Sequence, residues 1–270
     1  MARTLPPEYE IRVLGPEHEK WARSICLYTN IFHSPLWPVV YPENKTQRLY
    51  QSFHAAHYLI KHQIDSGYSL GIFHKNYEFK RPESVTSGGK LYWDFDCENA
   101  TPSELEEQMD FPLVSIAMAY DGISELDMNQ LMPLLGAMPL FATLVKAIGD
   151  LDPRDPVSWK PTGPKQLLMR NATNTMKAHS GRGLMRLLAE EMMRRSVAEG
   201  FRGIQIETAN VAVWKVWSNP PAPFRGTTVC QFHTMEYVEK GESQAVYPFR
   251  PADLPITRIY VDLRADKLGC

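Results

Sequence analysis

The sequence predicts one α/β (α+β) domain, 1–270, with about seven strands of mixed direction and helices on both faces of the sheet. Three observations support this. A strand-like segment, 166–175, leads through a glycine turn into an amphipathic helix, and a short β-branched strand follows that helix. Further strand-like segments lie before and after this unit. We also expect a helical insertion, at about 97–164, before the central strand.

The first third of the chain predicts a strand, two helices and a hairpin. Residues 9–13 alternate as a half-buried strand does. Residues 16–32 carry an apolar stripe at helical spacing, and a proline-rich stretch ends them; a second helix is expected over 46–66. We expect residues 67–74 to form a strand whose partner is 91–95, with a polar loop between them.

Residues 97–164 contain helix signals. Thr101-Pro-Ser-Glu is a capping box with proline at the first helical position, and further helical runs are expected near 124–135 and 138–148. Their Leu-rich and Met-rich faces are more typical of a core than of a ligand pocket. A lid over a neighbouring site is the alternative.

The central unit has the clearest periodicity. Apolar residues recur at helical spacing at Leu184, Leu187, Leu188, Met192 and Val197. Gly200 is placed to end that helix in a left-handed conformation. Ile204 and Ile206 then indicate a buried strand, and two late strands are expected at 227–238 and 256–263.

Composition limits the class of protein. The 29 basic and 31 acidic residues nearly balance, which argues against a nucleic-acid or anionic-membrane surface. Four cysteines without metal-like spacing predict free thiols and no metal site. The first ten residues lack the apolar core of a signal peptide, and no apolar run is long enough to span a membrane, so we expect a cytoplasmic protein.

The turn before the central helix predicts an anion site. Gly181 and Gly183 allow the backbone to approach a ligand closely, and the first amides of the helix point at that ligand. The positive end of the helix dipole favours a phosphate or pyrophosphate there. His179 precedes the turn and either contacts that phosphate or faces water.

The order of these motifs resembles the acyl-CoA-binding core of the GNAT superfamily of N-acetyltransferases. The superfamily turn, Arg/Gln-x-x-Gly-x-Gly/Ala, falls on 180–185, and its next strand falls on 200–207. Its later helix, Asn-x-Ala-x-x-x-x-Tyr, falls on 210–217. Ser180 replaces the usual Arg or Gln, Met185 replaces the second small residue, and Trp217 stands where the family has the tyrosine that protonates the leaving thiolate.

This resemblance implies a mostly antiparallel sheet, acetyl-CoA as the cofactor, CoA as a product and a small-molecule amine as the acceptor. A homodimer is left open. In such enzymes the edge of the central strand offers backbone amides to the thioester carbonyl. The residues that the resemblance assigns to the cofactor are Thr173, Asn174, Thr175, Ser180, Gly181, Arg182, Gly183, Leu184, Met185, Asn210, Trp214 and Trp217.

The candidates for proton transfer are less specific. The central-strand positions where relatives place a base fall near Met169 and Asn171, neither of which is a base. The remaining candidates are Glu207 and His233 as bases and Tyr237 as thiolate donor, with a structural role as the alternative for each. Asp94 and Asp96 could hold a cationic amine or simply face water.

Two other functions fit parts of the pattern. The Gly-x-Gly turn and Glu207 at the end of the next strand are also typical of a nicotinamide-dependent oxidoreductase, although Arg186 occupies the third glycine position. The absence of an obvious base and of the usual tyrosine is compatible with a non-catalytic acyl-CoA-binding protein. The sequence favours an acetyl-CoA-dependent N-acyltransferase.

Overall fold

The computed structural model describes residues 4–240 and 245–264. The strands are β1 Tyr9–Val13, β2 Leu70–His74, β3 Lys90–Leu91, β4 Met109–Asp110, β5 Leu113–Asp121, β6 Leu167–Thr175, β7 Gly203–Thr208, β8 Arg225–His233, β9 Glu239–Lys240, β10 Ala245–Val246 and β11 Pro255–Asp262. The helices are α1 Glu19–His33, α2 Trp37–Val40, α3 Lys45–Ala55, α4 His57–Asp65, α5 Pro82–Ser87, α6 Pro102–Glu107, α7 Met128–Ala137, α8 Pro139–Asp150, α9 Pro156–Trp159, α10 Leu184–Ala198 and α11 Val211–Trp217. Single 3₁₀ turns cover Pro16–His18 and Lys177–His179.

Seven strands form the main sheet in the order β1-β2-β5-β6-β7-β11-β8. The β6–β7 pair is parallel, and the other neighbouring pairs in this sheet are antiparallel. The expected mixed, mostly antiparallel sheet is therefore confirmed. It is not the parallel doubly wound sheet on which the nicotinamide alternative depends.

Helices cover both faces of this sheet. α10 packs on β2, β5 and β6, and α11 packs on β7 and β11, around a core that includes Leu188, Met192 and Trp217. On the opposite face α1 packs on β5 and β6, whereas α8 packs on β8 and β11. Trp37 of α2 contacts both apolar clusters of this second face, so it bridges the two halves of the sheet.

The expected partner of the strand at 67–74 is wrong. β2 pairs with β1 and β5, whereas residues 90–91 pair with 109–110 in a separate two-stranded sheet. The segment 97–164 is therefore not only helical, because it contains β5, the strand of the main sheet that lies between β2 and β6. That strand is buried along almost its whole length, and a strand buried on both faces lacks the period-two alternation that marks a strand in sequence.

Two element boundaries also differ from the expectation. The helix expected over 46–66 is two helices that meet at Ala56, where Arg23 donates from Nη1 to the Phe53 carbonyl at 3.0 Å. The strand expected over 227–238 ends at His233, because the amides of Glu236 and Tyr237 turn back to the His233 carbonyl. In both places the deciding contacts are not visible as a sequence pattern.

Several local signals are confirmed. The Thr101 hydroxyl accepts from the Glu104 amide at 3.3 Å, and Glu104 accepts from the Thr101 amide at 2.7 Å. Gly200 follows α10 with a φ of +90°. Cys26, Cys97 and Cys230 are free thiols, whereas Cys270 lies outside the described residues.

The described part of the chain contains no single helix long and apolar enough to cross a membrane. α7 and α8 reach that composition only as a pair, and they are bent by 119° at their junction. Over the same residues, no group of three or more His, Cys, Asp or Glu side chains is placed to hold a metal ion.

Candidate functional site

The parallel strands β6 and β7 separate in the middle of the sheet. They pair only from Leu167 to Arg170, whereas β6 stays paired with β5 as far as Thr175. The register against β5 shifts between Arg170 and Ala172, which leaves Asn171 as the extra residue of a bulge. Because a bulge bends its strand and increases its twist, β6 turns away from β7 beyond this point. The result is a V-shaped opening, closed at Arg170 and open towards Thr175.

The open edge of β6 carries polar groups without partners. Thr173 Oγ1 and Asn174 Oδ1 are buried and have no hydrogen-bond partner among the residues that the structure describes, whereas the Thr175 hydroxyl lies 2.7 Å from the Ser115 hydroxyl. Buried polar atoms are normally satisfied in native proteins. These orphaned atoms, beside a strand edge that pairs with no strand, fit an extended ligand with amide groups.

The glycine turn lies at the open end of the same strand. Gly181 and Gly183 have φ angles of +76° and +79°, a conformation that glycine adopts without steric cost. The first amide of α10 that bonds within the helix is that of Leu187, which donates to the Gly183 carbonyl. The amides of the first turn before Leu187 are therefore directed at the solvent side of the turn, as an anion site requires.

Side chains around the turn have divided roles. Ser180 bonds back to the Met176 carbonyl at 3.3 Å, and Leu184 is buried in the core while Met185 packs against it. At these three positions the backbone amides are therefore more available to a ligand than the side chains are. Arg182 is half exposed and lies 3.7 Å from Glu8, so its guanidinium is the nearest available cation on the turn itself.

His179 does not supply a second cation. Its Nδ1 lies 2.8 Å from the Tyr9 hydroxyl, which ties the turn to β1. Burial, followed by the charges of His74 and Arg182, lowers the pKa of His179 to about 4. The ring is neutral at pH 7, so it positions the turn and contributes no charge to an anion.

The helix α11 borders the other side of the opening. Asn210 caps it by accepting from the Ala212 amide at 2.8 Å, and Trp214 Nε1 lies 3.4 Å from the Thr228 hydroxyl. Trp217 is fully buried, and its Nε1 has no acceptor. The structure thus brings the cofactor residues expected from the sequence to one opening and its rim, with Trp217 in the core behind it.

Glu207 is engaged in an ion-pair network. It accepts from Arg258 Nε at 3.0 Å, and Arg258 also donates from Nη1 to Asp152 at 2.8 Å. Asp152 in turn binds Arg154, which reaches Gln205 at 2.7 Å. The hydrogen bonds from Arg154 and Arg258 hold the pKa of Asp152 well below its usual range.

His233 and Tyr237 lie together at another corner. His233 ends β8, and its Nε2 is 3.4 Å from Asp253. Tyr237 packs against Phe232 and Phe249, and burial raises its pKa. Glu207 of β7 pairs with Arg258 of β11, and Arg258 pairs with Cys230 of β8. Cys230 precedes His233 by three residues, so His233 lies about 10 Å along β8 from the row that contains Glu207. The three proton-transfer candidates therefore do not form one cluster.

The sheet face opposite α10 has an aromatic wall. Trp37 stacks on Tyr41 with ring centroids 6.1 Å apart, and Phe141 meets Trp37 edge-on at 6.4 Å. Tyr120 of β5 is near enough to Glu207 for the charge of that carboxylate to affect its hydroxyl. Burial, together with that charge, raises the pKa of Tyr120 to about 12. The Arg48 guanidinium lies over the Tyr41 ring at 4.0 Å, so this aromatic group also carries a cation.

Sequence reasoning missed the most buried charged residues of this region. Arg170, Arg258 and Asp152 are inside the protein, and each sits next to the opening or its network. For the two arginines, the available signal was a charged residue that directly follows or lies among apolar residues of a strand segment, as in 167–170 and 255–261. Asp94 and Asp96 lie in a surface turn, where the Asp96 amide donates to Asp94 at 3.1 Å.

Comparison with known proteins identifies the fold. No family model matches the chain, and no curated protein matches it in sequence. Among solved structures, it is similar to the C-terminal condensation domain of Ebony in complex with beta-alanyl-dopamine, with a TM-score of 0.60 and 14% identity over 93% of this chain and 97% of that one. It is also similar to arylalkylamine N-acetyltransferase 2 from Aedes aegypti, with a TM-score of 0.57 and 9% identity over 94% and 99%.

Proposed function

We propose that this chain, which has the fold of the GNAT acetyltransferases, is an acetyl-CoA-dependent N-acyltransferase that acetylates an amine of a small molecule. One observation carries the proposal. The bulge at Asn171 opens β6 from β7, and the opening leads directly to the glycine turn at the start of α10. An extended ligand with a phosphate at one end and amides along its length matches that geometry.

Two parts of the chain would bind different parts of acetyl-CoA. The amides of 184–186 and the guanidinium of Arg182 would hold the pyrophosphate, and the free edge of β6 from Thr173 to Thr175 would pair with the pantetheine amides. When bound, acetyl-CoA supplies an acyl group activated as a thioester.

The same strand edge would also assist the reaction. Amides on the free edge of β6 can donate to the acyl oxygen, where negative charge develops in the transition state. Removing one such donor costs about 2.7–4 kcal/mol in other enzymes. The amine acceptor attacks the acyl carbon directly, so the protein needs no nucleophile of its own.

The acceptor is proposed to be an aromatic or otherwise apolar amine. The aromatic wall of Trp37, Tyr41 and Phe141 lies on the face opposite α10, with the Arg48 guanidinium over the Tyr41 ring. Aromatic rings favour such offset and edge-on contacts. The names of the two similar structures refer to arylalkylamine acetylation and to a dopamine conjugate, which supports an aromatic ring in the acceptor. The amine of such compounds is aliphatic, so the names do not bear on whether the reacting amine is neutral.

Proton removal limits which amines can react. Arg258 already engages Glu207, so His233 is the remaining candidate base, and Tyr237 the candidate thiolate donor. Asn171 at the bulge is not a base. We therefore expect acceptors that are neutral at the working pH, such as arylamines, to react faster than alkylamines. Equal kcat/KM values for an arylamine and an alkylamine at neutral pH would contradict this expectation.

Thermal unfolding with acetyl-CoA, CoA and NADH tests the proposal. A ligand that binds only the native state adds about 2.7 kcal/mol of stability at a hundredfold excess over Kd. We expect stabilisation by acetyl-CoA and CoA and none by NADH. The absence of a shift with either CoA compound would refute the proposed function.

A non-catalytic acyl-CoA-binding protein is the second candidate. The observation that favours it is the buried indole of Trp217, which offers no proton that it could release near neutral pH. Stabilisation by CoA without product formation across a panel of aryl and alkyl amines would support this second function over the first.

A further inference from the structure

Arg170 lies at the closed end of the opening between β6 and β7. It is the last residue of β6 that pairs with β7, opposite Ile206, and the bulge follows it at once. The residue is only 4% exposed, and its Nε and Nη2 are buried without an acceptor among residues 4–240 and 245–264. Its guanidinium carbon lies 5.5 Å from the centre of the Trp217 ring.

Within the described part of the chain, no anion is hydrogen-bonded to Arg170. None of the buried residues of α10 and α11, which cover this face, is titratable. Glu207 on the adjacent strand raises the pKa of Arg170 against the effect of burial, but its carboxylate is hydrogen-bonded to Arg258. A buried cation with unsatisfied donors is strongly unfavourable unless an anion or acceptor meets it.

The side chain next to Arg170, Trp217, is also a hydrogen-bond donor. Trp217 Nε1 is a buried donor without an acceptor, as are the two nitrogens of Arg170. Two adjacent side chains beside the closed end of the opening thus carry donors for which the described residues supply no acceptor. A ligand atom that carries negative charge or a free lone pair is the partner that both side chains lack.

A ligand held by its phosphate at the glycine turn would reach this point with its far end. The turn follows the open end of β6, and the free edge of β6 runs back from Thr175 to Asn171. Five residues of strand span about 16 Å. The reacting end of an acyl thioester laid along that edge therefore stops beside Arg170.

We propose that Arg170 is a catalytic residue that stabilises the sulfur of CoA as a thiolate, and that Trp217 holds its guanidinium in place. This inference rests on the proposed function. In acetyl transfer the amine nitrogen forms a bond to the acyl carbon, the carbon–sulfur bond breaks, and its electron pair leaves on sulfur. The amine proton passes to the base or to water, and the guanidinium balances the charge on sulfur while keeping all its protons.

The pKa of the bound thiol reports this role without any turnover. Burial lowers the pKa of Arg170 to about 9, so the side chain is still cationic at neutral pH. A cation beside the sulfur lowers the thiol pKa of bound CoA below that of CoA in solution. CoA should therefore bind more tightly as the pH rises from the thiol pKa of the bound form towards that of the free form. Each unit of depression corresponds to about tenfold in Kd. Desulfo-CoA carries the same phosphates and amides but no thiol.

The experiment compares Kd for CoA and for desulfo-CoA from pH 6 to 9. In the wild-type protein we expect the ratio of the two Kd values to shift in favour of CoA by about tenfold with rising pH. Arg170→Met should abolish that shift, and Arg170→Lys should keep part of it. Arg182→Ala is the matched control, because it should weaken both ligands equally and leave the ratio unchanged. Thermal unfolding of each variant confirms that it is folded.

The outcomes separate the two proposals. A pH-independent ratio in the wild-type protein would overturn the role of Arg170 while leaving CoA binding intact. So would a shift that persists in Arg170→Met. If neither ligand binds the wild-type protein, the proposed function fails together with this inference.

Discussion

Arg258 donates to Glu207 from Nε at 3.0 Å, and this contact joins the end of β7 to the buried strand β11. Arg258 also holds Asp152, so one guanidinium connects a strand, its neighbour and the segment after α8. Glu207, which the sequence suggested as a base, is thus held in an ion-pair network behind the site. Its stability role can be separated from any role in proton transfer.

Replacing Arg258 should destabilise the protein strongly. The side chains of Arg258 and Asp152 are 7% and 5% exposed, so Arg258→Met removes one of the two guanidinium partners of the buried Asp152 and the partner of Glu207. Breaking a buried pair outright costs about 3–5 kcal/mol, and Arg154, which still holds Asp152, should keep the loss towards the lower end of that range. Urea unfolding measures the loss. Lys61→Ala, which breaks the exposed pair with Asp65, is the control and should change stability by less than about 1 kcal/mol. Equal effects would show that the network is not a stability element.

Asp152 should make stability depend on acid pH. Arg154 and Arg258 depress its pKa in the folded protein, so its contribution is complete above the unfolded pKa of about 3.9. The contribution is lost as the pH falls below that value through the folded pKa. Wild-type stability should therefore fall more steeply below about pH 4 than that of Asp152→Asn. Parallel curves for the two proteins over pH 2–5 would be incompatible with this assignment.

Gly183→Ala should damage both the turn and the ligand site. A left-handed φ of +79° costs an alanine about 1–2 kcal/mol, and the added methyl group lies at the start of α10. Gly200→Ala carries the same strain at the other end of that helix, about 22 Å away. We expect similar losses of stability in both variants. CoA should bind about tenfold more weakly to Gly183→Ala alone, a free-energy loss of about 1.4 kcal/mol. Unchanged CoA binding by Gly183→Ala would place the phosphate elsewhere.

His233→Gln separates two kinds of acceptor. If His233 removes the amine proton, its loss should lower kcat/KM about 100-fold for an alkylamine, which is protonated at neutral pH. An arylamine is already neutral, and its kcat/KM should change by less than about threefold. Steady-state kinetics with both amines, at the same pH, measure the difference. Equal losses would indicate a binding defect, and no loss with either amine would remove His233 as the base.

Thr101→Ala should remove a helix cap without touching the proposed site. The hydroxyl accepts from the Glu104 amide at the start of α6, and such caps contribute about 1 kcal/mol. For a domain of this size that loss lowers Tm by about 2–4 °C. Calorimetry measures it, and Thr101→Ser, which keeps the hydroxyl, should restore most of it. A larger loss in Thr101→Ser than in Thr101→Ala would mean that the methyl group, not the cap, matters.

Local patterns in the sequence were sufficient for the part of the fold that positions the cofactor. The spacing of apolar residues defined α10, and Gly200 ended it where only glycine is unstrained. The turn at Gly181 and Gly183, the strand after it and the capped helix at Asn210 were also placed correctly. Each of these features depends on residues close together in the chain, so it is written in the sequence as a period or a cap.

The strand order was decided by contacts that have no local signature. β5 carries Leu113–Asp121 as an almost continuously buried run, and its position between β2 and β6 depends on pairing across about 40–60 residues. The pairing expected at 91–95 followed the nearest strand-like segment and was wrong. Proximity in sequence favours a hairpin, but burial on both faces of the sheet decided the partner.

The sequence by itself determined the strand–turn–helix–strand unit and the glycine turn at which we propose an anion site, because backbone conformation and helix dipoles are set by adjacent residues. Only the tertiary structure decided which charges stand around that unit. Arg170, a residue of the central strand, became a buried cation because β6 and β7 separate just beyond it and α11 covers it with Trp217. Glu207 is held in an ion pair because β11 places Arg258 beside it. The chemistry available to a charged side chain depends on its solvation and its partners, and both are fixed only when distant strands come together.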